Sequence, residues 1–392
     1  LYPYIYFITK AAFRSTPKSL FDVAKIHGKS GFIYVALPMA RPAIIAGLSL
    51  VLMETISDFG TVEFLAVETI TLGIFNLWLG MNNFSAASQL SILAFTFIVV
   101  LLGIELSARK NQKFNDPRVS SFENKFDEIN LKQNIILLSI CLIPIIFGFI
   151  IPVLILINLS LQSLNQDNFS TFLEISINSI SISFFAAFLI ILFSFIIVVA
   201  VKYHGGKKFA FLSTLAGSGY AFPGVILALG TTFFLSLVQD SINTFFITFD
   251  VNWNLTIIGT FTALLYTYIC RFNAIGIGYI NSGIQRISPN LLEAGRLQGV
   301  SFEKSLFKII FPLIRPSILT GFLIIFVDII KELPVTLLLR PFNFETLATY
   351  VYQYAKEEML EQSALAALLI IIIGIVPVIV LNKVINLSYK KQ

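Results

Sequence analysis

The feature that most constrains this chain is a series of long apolar runs separated by short polar stretches. They lie at 42–59, 88–106, 133–158, 177–201, 210–238, 254–272, 314–332 and 363–387, and residues 1–13 read as the end of a ninth. A helix crossing a bilayer needs roughly 20 mostly apolar residues. Unsatisfied backbone groups cost several kcal/mol each in lipid, so runs of this kind are expected to be helical. Only 12% of the residues are charged and 56% are apolar, against about 25% charged in a typical soluble domain. The reading is an all-α polytopic membrane protein with about 8–9 transmembrane helices. A soluble enzyme, a disordered chain and a nucleic-acid binder are excluded as leading readings. The two cysteines, Cys141 and Cys270, have no metal-ligand spacing and read as packing residues.

The basic residues set the orientation. Stretches 10–41, 107–132, 202–209, 271–315 and the tail after 382 hold 24 of the 27 Lys and Arg. The opposite set, 60–87, 159–176, 239–253 and 331–362, holds only Lys331, Arg340 and Lys356. The basic set is expected on the cytoplasmic side, together with the C-terminus. Residues 107–132 mix six basic and four acidic residues around Asp116-Pro117. They read as a solvated cytoplasmic linker between a first half, 1–106, and a second, 133–392.

The halves share an internal repeat. Residues 37–47 read LPMARPAIIAG and residues 311–321 read FPLIRPSILTG, so at an offset of 274 Pro38, Arg41, Pro42 and Gly47 match Pro312, Arg315, Pro316 and Gly321. The same offset pairs Glu54 with Asp328 and Asp58 with Glu332. Upstream, Asp22-Val23-Ala24 followed by Gly28 parallels Glu293-Ala294-Gly295 followed by Gly299, with six residues from acid to glycine in both. In the second copy Ser288-Pro289 suits a helix start. Asn290 to Gln298 reads as a short helix ended by Gly299, and Phe302 to Ile310 as a second one, broken by Pro312 and Pro316 before the membrane. Each copy is a cytoplasmic helix–glycine–helix bracket. If the halves are equivalent, three to four spans precede the first copy, and the complete protein has about twelve.

These brackets, about 14–41 and 273–313, resemble the EAA loop of binding-protein-dependent ABC importer permeases. They depart from the Glu-Ala-Ala pattern at Val23 and Gly295, and the spacing from Gly28 to Pro38 is 10 residues against 13 in the second copy. Leu52-Met-Glu-Thr-Ile-Ser-Asp58, Phe326-Val-Asp-Ile-Ile-Lys-Glu332 and Gly219-Tyr-Ala-Phe-Pro-Gly224 resemble the ferric-iron permeases of that group. The resemblance implies two type I permease halves, the first truncated, in a bacterial inner membrane. It implies a cytosolic ATPase dimer gripping Asp22, Ala24, Gly28, Glu293, Ala294, Gly295 and Gly299, and a periplasmic binding protein delivering Fe(III). Thiamine, aminophosphonate and polyamine carriers share the architecture. An ion-coupled secondary transporter is the alternative of another class.

Glu54/Asp58 and Asp328/Glu332 are carboxylate pairs at i,i+4, read as lying on one helix face near the outer end of each span. Ionised groups at such positions are costly. They are either a path for a hard cation or packing residues neutralised by Lys331 and Arg340. No metal ligand is assigned. Gly217, Gly219, Pro223, Gly224 and Gly230 interrupt the 210–238 run, which predicts a broken helix beside the path or close helix packing. Residues 336–361, with Arg340, Glu345, Tyr350, Tyr352 and Tyr354, read as a polar outer loop. Gly28-Lys29-Ser30 imitates the end of a nucleotide-binding loop, but Val23 stands where that loop needs glycine. The chain is therefore read as no enzyme and without a cofactor of its own, ATP and Mg being held by the partner ATPase. A lipid bilayer is the expected surround, and no nucleic-acid partner is expected.

Overall fold

The computed structural model describes residues 2–110, 131–163, 169–250 and 253–389, apart from 286, 289, 292–296, 298 and 299. Among these residues every regular element is helical. Six helices are long and apolar enough to cross a membrane: Phe32–Ser57, Ile135–Gln162, Phe169–Tyr203, Gly224–Thr248, Phe302–Ile330 and Leu360–Pro377. Ile70–Gly80 and Phe84–Val100 are apolar but shorter. The run expected at 254–272 is displaced, because its helix starts at Phe261 and continues to Gln285. The preceding backbone is satisfied without helix. Gln239 Oε1 accepts the Ile257 N–H at 2.7 Å, and the Asn243 side chain accepts from the Leu255 N–H at 2.8 Å.

The chain forms two compact units. The first comprises Leu1–Asp58 with Glu68–Ile150. It contains α1 (Tyr2–Ser15), α2 (Lys18–Ile26), α3 (Leu37–Ser57), α4 (Ile70–Phe75), α5 (Phe84–Lys110) and α6 (Leu131–Ile145). Cys141, on α6, is exposed and does not fill a core. Helix α1 lies along α3 at Gly47, where a Cβ would stand 2.9 Å from the Ile5 Cα. Lipid tails are as apolar as leucine, so helices in a membrane associate through close packing at small residues.

The second unit comprises Phe59–Val67 with Ile151–Gln392. Its larger helices are α7 (Ile151–Ser163), α8 (Phe169–Val199), α9 (Lys207–Ala216), α10 (Gly224–Thr248), α11 (Phe261–Gln285), α12 (Phe311–Ile330), α13 (Pro334–Leu339), α14 (Leu347–Lys356) and α15 (Leu360–Tyr389). Ile190 of α8, Leu264, Tyr268 and Ile280 of α11, and Ile314 and Ile325 of α12 form one buried core. Small residues let these three helices approach: a Cβ on Gly276 would fall 2.2 Å from the Ser194 Oγ, and one on Gly283 2.8 Å from the Ser317 Oγ. Phe184, Phe185 and Phe188 point away from this core and are about half exposed, as a lipid-facing surface requires.

The offset of 274 is a structural period. A π-helical turn at Phe32–Ala36 precedes α3, and another at Leu306–Ile310 precedes α12. Gly47 meets Ile5 in the first unit, and Gly321 meets Tyr279 in the second, 274 residues on for both partners. A short helix follows each span, Gly60–Phe64 and Pro334–Leu339. Thr69 and Thr346 then cap α4 and α14 through their hydroxyls. This repeat corrects one expectation. Pro312 and Pro316 do not break the helix, because Phe302–Ile330 runs as one helical span. Proline lacks an N–H and clashes with the carbonyl four residues back. For Pro38 and Pro312 those carbonyls, on Tyr34 and Lys308, lie inside the widened turns. The bonds there run five residues back, Leu37 N–H to Phe32 O and Phe311 N–H to Leu306 O, so the turn absorbs the proline and the helix continues.

Candidate functional site

Three places carry the residues singled out in the sequence. The first is the bracket at α2. Asp22 is exposed on it and Ala24 is buried beneath it. Gly28 has φ +66°, and the Lys29 N–H bonds the Ala24 carbonyl at 2.9 Å while the Gly28 N–H bonds the Lys25 carbonyl at 3.0 Å. That pair of bonds is a Schellman cap, which needs a left-handed residue at Gly28. Gly28→Ala is expected to destabilise this cap by about 1–2 kcal/mol and to speed hydrogen exchange at the Lys29 amide. Unchanged exchange there would remove the capping role. In the second bracket Glu293, Ala294, Gly295 and Gly299 lie outside the described residues, as does most of the short helix expected over 290–298.

The second place is the outer end of the repeated spans. Glu54 lies in the last turn of α3, and Asp58 stands just past it as the C-cap; both are half-buried. Asp328 lies in the last turn of α12 and pairs with Lys331 at 2.8 Å. Glu332 lies one residue beyond the Lys331 C-cap and is 7% exposed. Asp58 and Glu332 are therefore outside the helices, and neither pair stacks on one helix face. The helix ends there because the chain turns into the next short element, Gly60–Phe64 or Pro334–Leu339.

Neutralisation of Glu332 comes from a residue that the sequence reading placed on a cytoplasmic loop. Arg271 is buried in the middle of α11, with its Nη2 3.4 Å from Glu332 Oε2. Arg340 instead pairs with Glu345. Glu332 Oε1 also accepts the Val335 N–H at 3.2 Å. Its backbone carbonyl takes the Thr336 hydroxyl at 2.6 Å, and that hydroxyl meets the Tyr268 hydroxyl at 2.6 Å. Gly224, the first residue of α10, closes the cluster. A Cβ on it would fall 2.2 Å from Arg271 Nη1 and 2.9 Å from Glu332 Oε1. A carboxylate beside a helix N-terminus is favourably placed. The arrangement clamps α10, α11 and the turn after α12 together through one buried ion pair. A lone arginine within the apolar run Tyr266-Thr-Tyr-Ile-Cys-Arg271-Phe272 was the available signal.

The third place is the glycine-rich break. Helix α9 stops at Ala216, a 3₁₀ turn spans Gly219–Ala221, and α10 restarts at Gly224. Both readings of the glycines hold: the helix is broken, and a Cβ on Gly219 would stand 1.9 Å from the Cys270 carbonyl oxygen. Gly230 has nothing within 4 Å. The stretch 336–361 is not an open loop. Leu347 is fully buried, its N–H bonds the Ser179 Oγ at 2.6 Å, and Tyr350 stacks on Tyr354 at 4.4 Å.

Residues 1–120 and 195–391 match the model of the family described as binding-protein-dependent transport system inner membrane component. The Fe(3+)-transport system permease protein FbpB 2 of Haemophilus influenzae is 23% identical over 97% of this chain and 74% of its own length. The ferric transport system permease protein FbpB of Actinobacillus pleuropneumoniae is 26% identical over 42% of this chain and 23% of its own. A solved bacterial alginate ABC transporter, in complex with an alginate pentasaccharide-bound periplasmic protein, shares the fold. Its TM-score is 0.50 at 18% identity, over 63% of this chain and 93% of its own.

Proposed function

Because the chain belongs to the family of inner-membrane components of binding-protein-dependent transport systems, we propose that it is the permease subunit of an ATP-driven importer for Fe(III). The observation that carries the permease reading is the structural period of 274 residues, which repeats bracket, π turn, proline-entered span and capped outer helix in both units. Iron as cargo is supported by the Haemophilus influenzae relative, which aligns along nearly the whole chain. In this reading ATP and Mg are held by a cytosolic ATPase dimer, and the permease itself is not an enzyme. The dimer grips the brackets at Asp22, Ala24 and Gly28 and at Glu293, Ala294, Gly295 and Gly299. A periplasmic binding protein docks on the opposite, base-poor face, and the C-terminus lies in the cytoplasm of a bacterial cell. Closure of the ATPase dimer rocks the halves between outward-open and inward-open states. Glu54, Asp58, Asp328 and Glu332 line the candidate path. Of these, Glu332 serves in the clamp with Arg271 and leaves the others nearer to the passing ion.

The test is uptake of radiolabelled Fe(III) by cells lacking their own iron importers and expressing the full reading frame with its ATPase and binding protein. ATP-dependent uptake is expected. Uptake of thiamine or an aminophosphonate in its place would move the cargo, and uptake that ignores the ATPase would overturn the importer. Asp22→Lys combined with Glu293→Lys reverses the charge of both brackets. It is expected to lower uptake at least about tenfold while the complex still assembles, the loss of about 1.4 kcal/mol or more in coupling. Wild-type uptake in that variant would sink the assignment of the brackets.

A further inference from the structure

The second unit holds a cavity of about 510 Å³ that no part of the reading above uses. It is lined by Gly60, Glu63 and Phe64 on one side, by Lys331 and Leu333, and by Tyr352, Lys356 and Glu358 at the end of α14. Glu63 is largely buried, with its side chain 17% exposed. Its Oε1 receives the Lys356 ammonium at 3.0 Å, and its Oε2 is buried with no hydrogen-bond partner. The same ammonium lies 3.4 Å from the Tyr352 hydroxyl. A single cation thus bridges a carboxylate and a phenol on the cavity wall. That cation is weakly held, because Lys356 is 59% exposed and ion pairs at the surface contribute little.

Glu358 adds a second carboxylate at a costly position. Helix α14 ends in a Schellman cap, with the Glu358 N–H on the Ala355 carbonyl at 3.2 Å and the Met359 N–H on the Tyr354 carbonyl at 2.9 Å. The residue at the left-handed position of that cap is Glu358, with φ +61°, where glycine is the residue normally favoured. Burial, and then the neighbouring Glu63, push the Tyr352 phenol well above its ordinary pKa, so the site holds its proton until a stronger cation arrives. Two carboxylates and a phenol are hard oxygen donors, which suit a hard, highly charged metal ion.

We propose that this cavity is a cation-receiving site, in which Glu63, Tyr352 and Glu358 take a trivalent metal ion and Lys356 holds its place until the ion arrives. The proposal rests on the Fe(III) reading and gives it an entry point. On binding, the Lys356–Glu63 contact opens, the Tyr352 phenol loses its proton to solvent, and three oxygens coordinate the ion. Iron remains Fe(III) throughout, so no electron donor is needed.

The experiment titrates ferric nitrilotriacetate into the purified permease–ATPase complex and follows the visible absorption that a phenolate–Fe(III) bond produces. The band is expected in the wild type and absent in Tyr352→Phe. Glu358→Gly is expected to weaken binding about tenfold without lowering thermal stability, since glycine suits its backbone. Glu63→Gln weakens binding, whereas Lys356→Met removes the competing ammonium and tightens it. A band that survives Tyr352→Phe overturns the site. So does equal weakening by Glu63→Gln and Lys356→Met, which marks their contact as purely structural. ATP-dependent iron uptake by a complex that never shows the band overturns the site and leaves the importer standing. A band in a complex that takes up no iron keeps the site and overturns iron as cargo.

Discussion

Glu332→Ala is expected to destabilise the second unit by about 3–5 kcal/mol, the cost of leaving a buried charge without its partner. The orphaned group is Arg271, which already has Nε and Nη1 buried without hydrogen-bond partners. Its Nη2 contact to Glu332 is the only ion pair given for it among the described residues. A thermal melt of the purified complex reads the loss directly, and an unchanged melt would show that the pair holds nothing together. The companion variant is Arg271→Met with Glu332→Leu. Apolar replacement of a whole buried pair is often neutral or stabilising, so this double variant is expected to regain most of the melting temperature. Transport then separates two roles. If the pair only packs α10, α11 and the turn after α12, the double variant imports normally. We expect it to import poorly, because a clamp built from charges at a helix break can open and close, whereas an apolar plug stays shut.

Gly219→Ala carries the other large effect. Its Cβ would lie 1.9 Å from the Cys270 carbonyl oxygen and 2.8 Å from that carbonyl carbon. Both neighbours are backbone, so no side chain can rotate away, and the 3₁₀ turn must separate from α11. A loss of about 3 kcal/mol or more is expected from such overpacking, seen as a lower melting temperature and less folded protein in the membrane. Gly230→Ala is the control. It lies inside α10 with nothing within 4 Å of its added carbon, and alanine is favoured over glycine in a helix by about 1 kcal/mol. Equal damage by both substitutions would refute the close-approach argument.

What could be read beforehand depended on the range of the interactions involved. The spans were legible because lipid acts on every residue of a run, and composition alone reports it. The repeat was legible because Pro38, Gly47 and Asp58 recur at one offset, and each recurs for a local backbone or packing reason. The Gly28 cap was legible because its two hydrogen bonds close within six residues. Contacts between distant elements were not. Arg271 looked like a loop base, since one charge at the end of an apolar run looks the same whether it leaves the membrane or turns inward to Glu332. The π turns were hidden for a different reason. Proline is read as a helix breaker, and nothing in its own identity reveals that the preceding turn widens to accommodate it. Likewise Glu63, Tyr352 and Lys356 are 293 residues apart at their extremes, and only the fold brings them to one wall.

The uninterrupted run of Phe302–Ile330 sets a mechanical ratio. Its 29 residues, at about 1.5 Å each, make a rod of about 43 Å, whereas the hydrocarbon layer is about 30 Å thick. The surplus of about 13 Å corresponds to the stretch ahead of Phe311. That overhang is a short arm on the near side of a fulcrum at the headgroups, and the immersed part is a long arm on the far side. A sideways push on the short arm is therefore magnified about twofold where the rod ends at Ile330, beside Glu332. The matching rod, Phe32–Ser57, is three residues shorter at 26. Its overhang is about 9 Å, so the same push swings its far end further, and the two halves of the machine run at different gear.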